Sequence, residues 1–288
     1  MELTLPSDDD EPKDYGQFNI GQTPTPSVEV GCDGASGNWW YRVETTMLAR
    51  FIKYAKTLVE EAVFYFGQDG FFIRVVDPSH VAMAVIATPG CDRQASSASP
   101  ECENKWGLEL SKLERCLDKT ESHITLVLDE NANRLLAVND KCETSIRPLD
   151  RQNMQAPRIP IGVTDMTHSF DIDSRDWLKG AKRLNDIGDL VTLSINEAST
   201  ACFSISGESD SRTYTLSDDT TGEGVCSTQY SLQYILPFAK AIPQTKKGAT
   251  TFRVRWGDRF PLFLESIEGG NDIVEWEFFL APRVDGDS

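Results

Sequence analysis

From Thr45 to Val59 the apolar residues Leu48, Phe51, Ile52, Ala55, Leu58 and Val59 recur at helical spacing. Arg50, Lys53 and Lys56 lie on the opposite face, each three residues from the last. The period then shortens. VFYFGQDGFFIRVVDPSHVAMAVI, residues 63–86, predicts strand, turn, strand, turn, strand. Asp69-Gly70 suits a tight hairpin turn, because both tolerate positive φ. Pro78 has no amide hydrogen for a ladder and belongs in the second turn.

Upstream, residues 1–37 are rich in Asp, Pro, Gly and Ser without a sustained period, which predicts an acidic disordered arm. Trp39, Trp40 and Tyr41 open the first strand. Residues 89–105 read as a long loop, and Leu108–Leu117 as a short helix with Leu110, Leu113 and Leu117 inward. Strands are expected over 123–130, 133–139 and 141–150. Two prolines and no period make 151–162 a linker.

Beyond the linker the pattern begins again. Phe51–Leu58 aligns with Trp177–Leu184 at an offset of 126 residues, with Lys, Ala, Lys and Leu identical, and an internal duplication accounts for it. LVTLSI, ACFSISG and SRTYTL follow as strands, then a fourth helix over 230–243 and strands TTFRVRW, FPLFLES and IVEWEFFLAP. Pro237 inside that helix predicts a kink or a late start.

These stretches carry a resemblance to the PCNA family of DNA sliding clamps. It rests on Asp77, Ser79, His80 and Val81, similar to the family's D-x-S-H-V, and on Phe203–Glu208, similar to F-S-x-S-G-E. Tyr234–Pro243, Phe260-Pro261-Leu262 and Leu280–Val284 extend it, so that it spans Trp39 to Val284. The resemblance implies an α+β DNA-clamp fold: two duplicated clamp domains with helices on the inner face of curved antiparallel sheets. The expected division is an arm at 1–37, domain 1 at 38–150, a connecting linker at 151–164 and domain 2 at 165–288. It also implies a homotrimeric ring that encircles duplex DNA and tethers a DNA polymerase, a clamp loader and other clients with short peptide motifs.

Charge both challenges and refines this picture. The net charge is −17, which argues against nucleic-acid binding through the general surface. Lysine is scarce, 12 against 16 Arg, and acids are spread along the chain, a pattern that fits adaptation to high salt. Yet the proposed helices and their ends collect Arg50, Lys53, Lys56, Lys112, Arg115, Lys119, Arg175, Lys179, Lys182, Arg183, Lys240, Lys246 and Lys247. All of these except Arg175 are candidate DNA-facing residues. Flexible basic side chains on phosphates position a duplex without reading its sequence, which suits sliding.

The resemblance further implies a client-peptide pocket bordered by His80, Val81, Met83, Ile159, Pro160, Pro261, Phe279, Ala281 and Pro282. The linker carries Arg151, Gln152, Gln155 and Arg158 where the family is commonly acidic. For ring closure it implies pairing of edge strands, here Lys141–Arg147 (Lys141, Glu143, Ser145, Arg147) with Cys202–Glu208 (Cys202, Ser204, Ser206, Glu208).

Catalysis finds little support. His80, His123 and His168 are scattered without metal-ligand spacing, and no phosphate-loop, dinucleotide, zinc-protease or nucleophile-elbow motif occurs. No enzyme activity, cofactor or metal is expected; a carboxylate-metal nuclease and a non-encircling clamp-like protein are the alternatives. The seven cysteines form no C-x-x-C pair. Cys116 and Cys202 are expected as buried thiols, and Cys91 and Cys102 flank a Ser-rich loop that could bring them together. No apolar run approaches the ~20 residues of a membrane span, and the N-terminus has no apolar core. The expected location is cytoplasmic, on the nucleoid of a prokaryote, or nuclear in a eukaryote.

Overall fold

The computed structural model describes residues 28–34, 37–91, 104–150, 166–222, 224–244, 250–267 and 272–283. One supersecondary unit, strand–helix–three strands, occurs four times in them. The first is β2 (Trp39–Glu44), α1 (Thr45–Ala55), β3 (Glu61–Gly67), β4 (Gly70–Val76) and β5 (Ala82–Ala87). The second is β6 (Asn104–Glu109), α2 (Leu110–Arg115), β7 (His123–Asp129), β8 (Arg134–Val138) and β9 (Glu143–Ile146). The third is β10 (His168–Asp173), α3 (Ser174–Leu184), β11 (Leu190–Ile195), β12 (Ala201–Ser206) and β13 (Ser211–Ser217). The fourth is β14 (Cys226–Ser231), α4 (Leu232–Ala241), β15 (Thr251–Trp256), β16 (Leu262–Ser266) and β17 (Glu275–Leu280). One further strand, β1 (Val28–Cys32), precedes them.

The units interlock in pairs by exchanging first strands. β2 pairs with β7 and β6 with β3; likewise β10 pairs with β15 and β14 with β11, all antiparallel. Each helix follows its strand with no intervening residue, and its first amide is satisfied across the pair. Thr45 donates to Ser122 O and Leu110 to Glu60 O; Ser174 donates to Thr250 O and Leu232 to Asp189 O. A neighbouring backbone carbonyl thus does the work of a side-chain cap, which α1, α2 and α4 lack.

Three sheets result: β1-β2-β7-β8-β9, β13-β12-β11-β14, and an eight-stranded sheet β10-β15-β16-β17-β5-β4-β3-β6. The pairing of β17 with β5 makes that sheet continuous across the two halves of the chain. The helices bury one face against the sheets in a core with Phe51 on Phe64 (5.6 Å) and Trp177 on Phe203 (4.6 Å). Alternate residues of the same strands point to the other face of the large sheet. There they form two smaller buried clusters, Val63, Tyr65, Phe72, Ala87 and Cys91, and Met83, Val85, Phe263 and Phe279.

The duplicated α+β clamp architecture is as expected, and several local readings are corrected. α1 stops at Ala55, and Lys56–Leu58 form a turn before β3. In the hairpin, Gln68 and Asp69 make the turn, while Gly70 pairs with Gly67 at φ +137°. Leu108 lies in β6 and not in a helix, and β10 and β14 are strands that the pattern does not announce. The first strand and helix of the two halves repeat at 129 residues (Trp39 to His168, Thr45 to Ser174), not 126, and those of the second units at 122 (Asn104 to Cys226, Leu110 to Leu232). The three-residue slip is nearly one helical turn, so it keeps like faces aligned. α4 starts at Leu232 and runs through Pro237, so a late start is not the solution. Val28–Cys32, expected in the arm, pairs with β2 through a Val-x-Val alternation. Among the described residues, no helix is long and apolar enough to cross a membrane.

Candidate nucleic-acid and partner interfaces

The four helices pack in the order α2, α1, α4, α3. Polar contacts join neighbours. Lys56 Nζ lies 2.7 Å from Glu114 Oε2 of α2, and Lys53 Nζ donates to Lys240 O (3.0 Å) and Ala241 O (3.2 Å) at the end of α4. A cation at a helix C-terminus meets unsatisfied carbonyls and the negative end of the dipole. Burial lowers the Lys53 pKa, repulsion from Arg50 lowers it further, and Asp272 partly opposes them.

The basic residues of the helices therefore divide into two sets. Arg50 bonds Asp272 Oδ1 at 3.1 Å, and the Asp272 side chain is only 3% exposed. That carboxylate also accepts from the Tyr54 hydroxyl and from Trp276 Nε1 at 3.1 Å. Arg50 is thus engaged with a buried acid of its own chain. Lys112 pairs with Glu109 at 2.7 Å, so Lys53, Lys56 and Lys112 are partly engaged as well. Arg115, Lys119, Lys179, Lys182, Arg183 and Lys240 are exposed and make no carboxylate ion pair among the described residues. Lys246 and Lys247 lie outside the described residues. Arg175 pairs with its own N-cap, Asp173, at 2.8 Å.

On the opposite face of the large sheet Met83 and Phe279 share one buried cluster, whereas Val81 packs against the main core. β5 and β17 bring Met83 opposite Phe279, and Ala281 N donates to Val81 O at 2.8 Å. Arg283 N donates to Gln229 O at 2.8 Å, so the chain end is held on both sides of Pro282. Met83 and Phe279 are buried; Val81, Pro261, Ala281 and Pro282 are half-buried, and His80 is exposed at φ +58°. Phe263 and Val85 complete the floor, with Val76 and Met166 packed against it. The all-apolar strand AMAVIA signals apolar partners on both faces, which is how Val85 could have been found. Ile159 and Pro160 lie outside the described residues.

Asp77 organises the rim. Its side chain accepts from the amides of Ser79 (2.9 Å), Val81 (2.7 Å) and Ala82 (2.6 Å) and from the Tyr234 hydroxyl (2.9 Å). Burial alone would raise the carboxyl pKa, but these donors outweigh it and hold it below its ordinary value. The Asp-x-Ser-His-Val spacing is thus a carboxylate capping its own turn, and Tyr234 ties that turn to α4.

The edge strands in the described residues are β1 and β9, β13 and β14, and β10 and β6, the last two each touched by one isolated bridge, Ser169 to Thr221 and Gly107 to Leu149. Glu143 and Ser145 lie in β9, flanked by Lys141 and Arg147, at an edge as expected. β12, with Cys202, Ser204 and Ser206, is not an edge, because β11 and β13 cover both its sides; Glu208 follows it in the turn. The edge strand beside it is β13, which also supports α3. A Cβ at Gly180 would lie 2.8 Å from the Tyr214 ring, and Arg212 donates to Arg183 O at the end of α3. Gly180→Leu should overpack this contact and cost about 2 kcal/mol, although leucine suits a helix. A lower urea midpoint checks this; an unchanged midpoint refutes it.

The remaining polar groups are dispersed. Cys116 is buried, and burial pushes its thiol pKa up; Cys202 is half-buried and not buried as expected. Cys102 lies outside the described residues, so its pairing with Cys91 is not described. Among the described residues no three His, Cys, Asp or Glu side chains group as metal ligands.

No protein-family model matches the chain. A DNA polymerase sliding clamp of Nitrosopumilus maritimus is 29% identical over 254 residues, 83% of this chain and 95% of its own. That of Thermoplasma acidophilum is 26% identical over 235 residues, 80% of this chain and 92% of its own. Among solved structures, the complex of the C-terminal region of FEN-1 with A. fulgidus PCNA matches at TM-score 0.71 and 19% identity, covering 86% of this chain and 99% of the other. PCNA of Entamoeba histolytica matches at TM-score 0.66 and 18% identity, covering 84% and 96%. The chain is thus similar in sequence to archaeal DNA polymerase sliding clamps and in fold to PCNA.

Proposed function

We propose that the chain is a non-enzymatic processivity factor: three copies close head to tail around duplex DNA and tether a polymerase, a loader and other clients. The observation that carries this reading is the row of four helices with unpaired basic residues on an acidic protein. Domain 1 and domain 2 (165–288) are joined by the linker 151–164; because β1 pairs with β2, domain 1 extends to 28–150 and the arm shortens to 1–27. Ring closure pairs β9 of one copy with β13 of the next, backbone to backbone. An aromatic-anchored client peptide docks over Met83, Val85, Phe263 and Phe279, rimmed by the Asp77 turn, where buried apolar anchors supply the affinity.

Encirclement reconciles the charge with binding. At 1 M salt the Debye length is about 3 Å, so phosphate contacts fade, while a closed ring holds DNA by topology. Surface acidity and residence in high salt are then compatible with function. The test is retention of loaded protein on closed circular DNA at rising salt, with release on linearisation, alongside solution mass. A trimer that stays on circles and leaves linear DNA supports the reading. A monomer, or loss from closed circles, refutes it and leaves a non-encircling protein.

Lys179→Ala with Lys182→Ala should leave retention on circles unchanged. The salt slope of binding to short linear duplex should fall by about 1 for each phosphate no longer neutralised. An unchanged slope removes α3 from the DNA-facing set.

A further inference from the structure

We infer that the acidic N-terminal segment, residues 1–27, docks on the unpaired basic faces of the chain's own helices in competition with DNA phosphate; this rests on the DNA-facing reading above. The segment carries six acidic residues, Glu2, Asp8, Asp9, Asp10, Glu11 and Asp14, against Lys13 alone. β1 fixes where it leaves the fold. Val28 pairs with Val43, two residues before Thr45, the first residue of α1. The Thr45 amide is bonded to Ser122, three residues past Lys119. The segment thus departs on the side of the first pair of units that carries Arg115 at the end of α2 and Lys119 in the turn after it, both exposed and without a carboxylate partner among the described residues.

Reach and charge fit the rest of the row. An extended chain spans at most ~3.3–3.6 Å per residue, so Asp8–Glu11, about 20 residues from Val28, can reach any of the four helices. The exposed Arg115, Lys119, Lys179, Lys182, Arg183 and Lys240 give the helix row a charge opposite to that of the segment. Attraction of this kind is strongest at low ionic strength and fades as screening grows. Docking is therefore expected at low salt and is lost as salt rises.

The test is zero-length carbodiimide cross-linking of the full chain without DNA, read by peptide mass spectrometry at about 50 mM and about 1 M NaCl, on either side of the screening transition. Isopeptide links from Asp8–Glu11 to Lys119, Lys179, Lys182 or Lys240 are expected at low salt, and at least fivefold fewer at high salt. Links absent, confined to Lys105 or Lys141 off the helices, or insensitive to salt overturn the inference. A second measurement replaces Asp8, Asp9, Asp10 and Glu11 together by Asn or Gln, which keeps the length. Affinity for short linear duplex at low salt should rise about tenfold, and no rise counts against docking. Cross-links to the helices without retention on circles would sink only the ring reading, and retention without cross-links only this one.

Discussion

Asp77→Ala is expected to produce the largest loss of stability of any single change in the proposed client-facing surface, about 3 kcal/mol. The Val81 and Ala82 amides lose a buried acceptor, and each unsatisfied group of that kind costs about 1–3 kcal/mol. The Ser79 amide and the Tyr234 hydroxyl lose theirs as well. The His80–Val81 rim then loses its shape, so affinity for a client peptide should fall with stability. The sign with pH follows from the depressed carboxyl. Its contribution is complete above the unfolded value, about 3.9, and drains away as pH falls through the lower folded value. In Asp77→Asn that part of the acid limb should vanish. Urea titrations of parent and variants at several pH values between neutrality and acid would show it. Equal midpoints for Asp77→Ala and parent at neutral pH would falsify this account.

Opening the proposed seam between copies should have the second large effect. Of two consecutive edge residues, one directs its amide outward, and proline there removes a donor that the edge offers to another chain while leaving the inner ladder whole. One of Thr144→Pro and Ser145→Pro in β9 should therefore keep the parent's unfolding behaviour yet reduce the solution mass from trimer to monomer. Retention on circular DNA should fall to the level seen with linear DNA. The same substitution scanned through Thr213–Thr215 of β13 should reproduce it, whereas Ser204→Pro in β12 should unfold the second half. If a well-folded β9 proline variant remains trimeric, the ring closes elsewhere.

The contrast between β12 and β13 marks the limit of what residue types disclose. Both strands read as alternating polar and apolar, and only pairing distinguishes an edge from an interior position. β6, β10 and β14 escape for a different reason. Each runs into a helix without Gly or Pro between, so Leu108 and Tyr230 blend into helical patterns. The missing stop signals are replaced by carbonyls of distant strands, such as Ser122 for Thr45, which no local pattern can report. Spacing alone makes Arg50 one more basic residue on a helix. Its partner Asp272 lies 222 residues away, so its true engagement is a tertiary fact. Long periodic elements, the turn at Asp77–Val81 and the duplicated helix are legible because their causes are local.

The join of β17 to β5 bears on how the chain is made. β5, AMAVIA, is uncharged and wholly buried, and one of its two partners is the last strand of the fold. At a synthesis rate of about 5–20 residues per second, that edge stays uncovered for roughly 10–40 s after it emerges. During this interval it has the traits of a segment that pairs with the wrong neighbour: apolar, β-prone and without a gatekeeping charge. Truncation of the last strand leaves this exposure permanent. Nascent chains stalled before Glu275 should accordingly be the form that aggregates and that chaperones hold, while the finished chain is not.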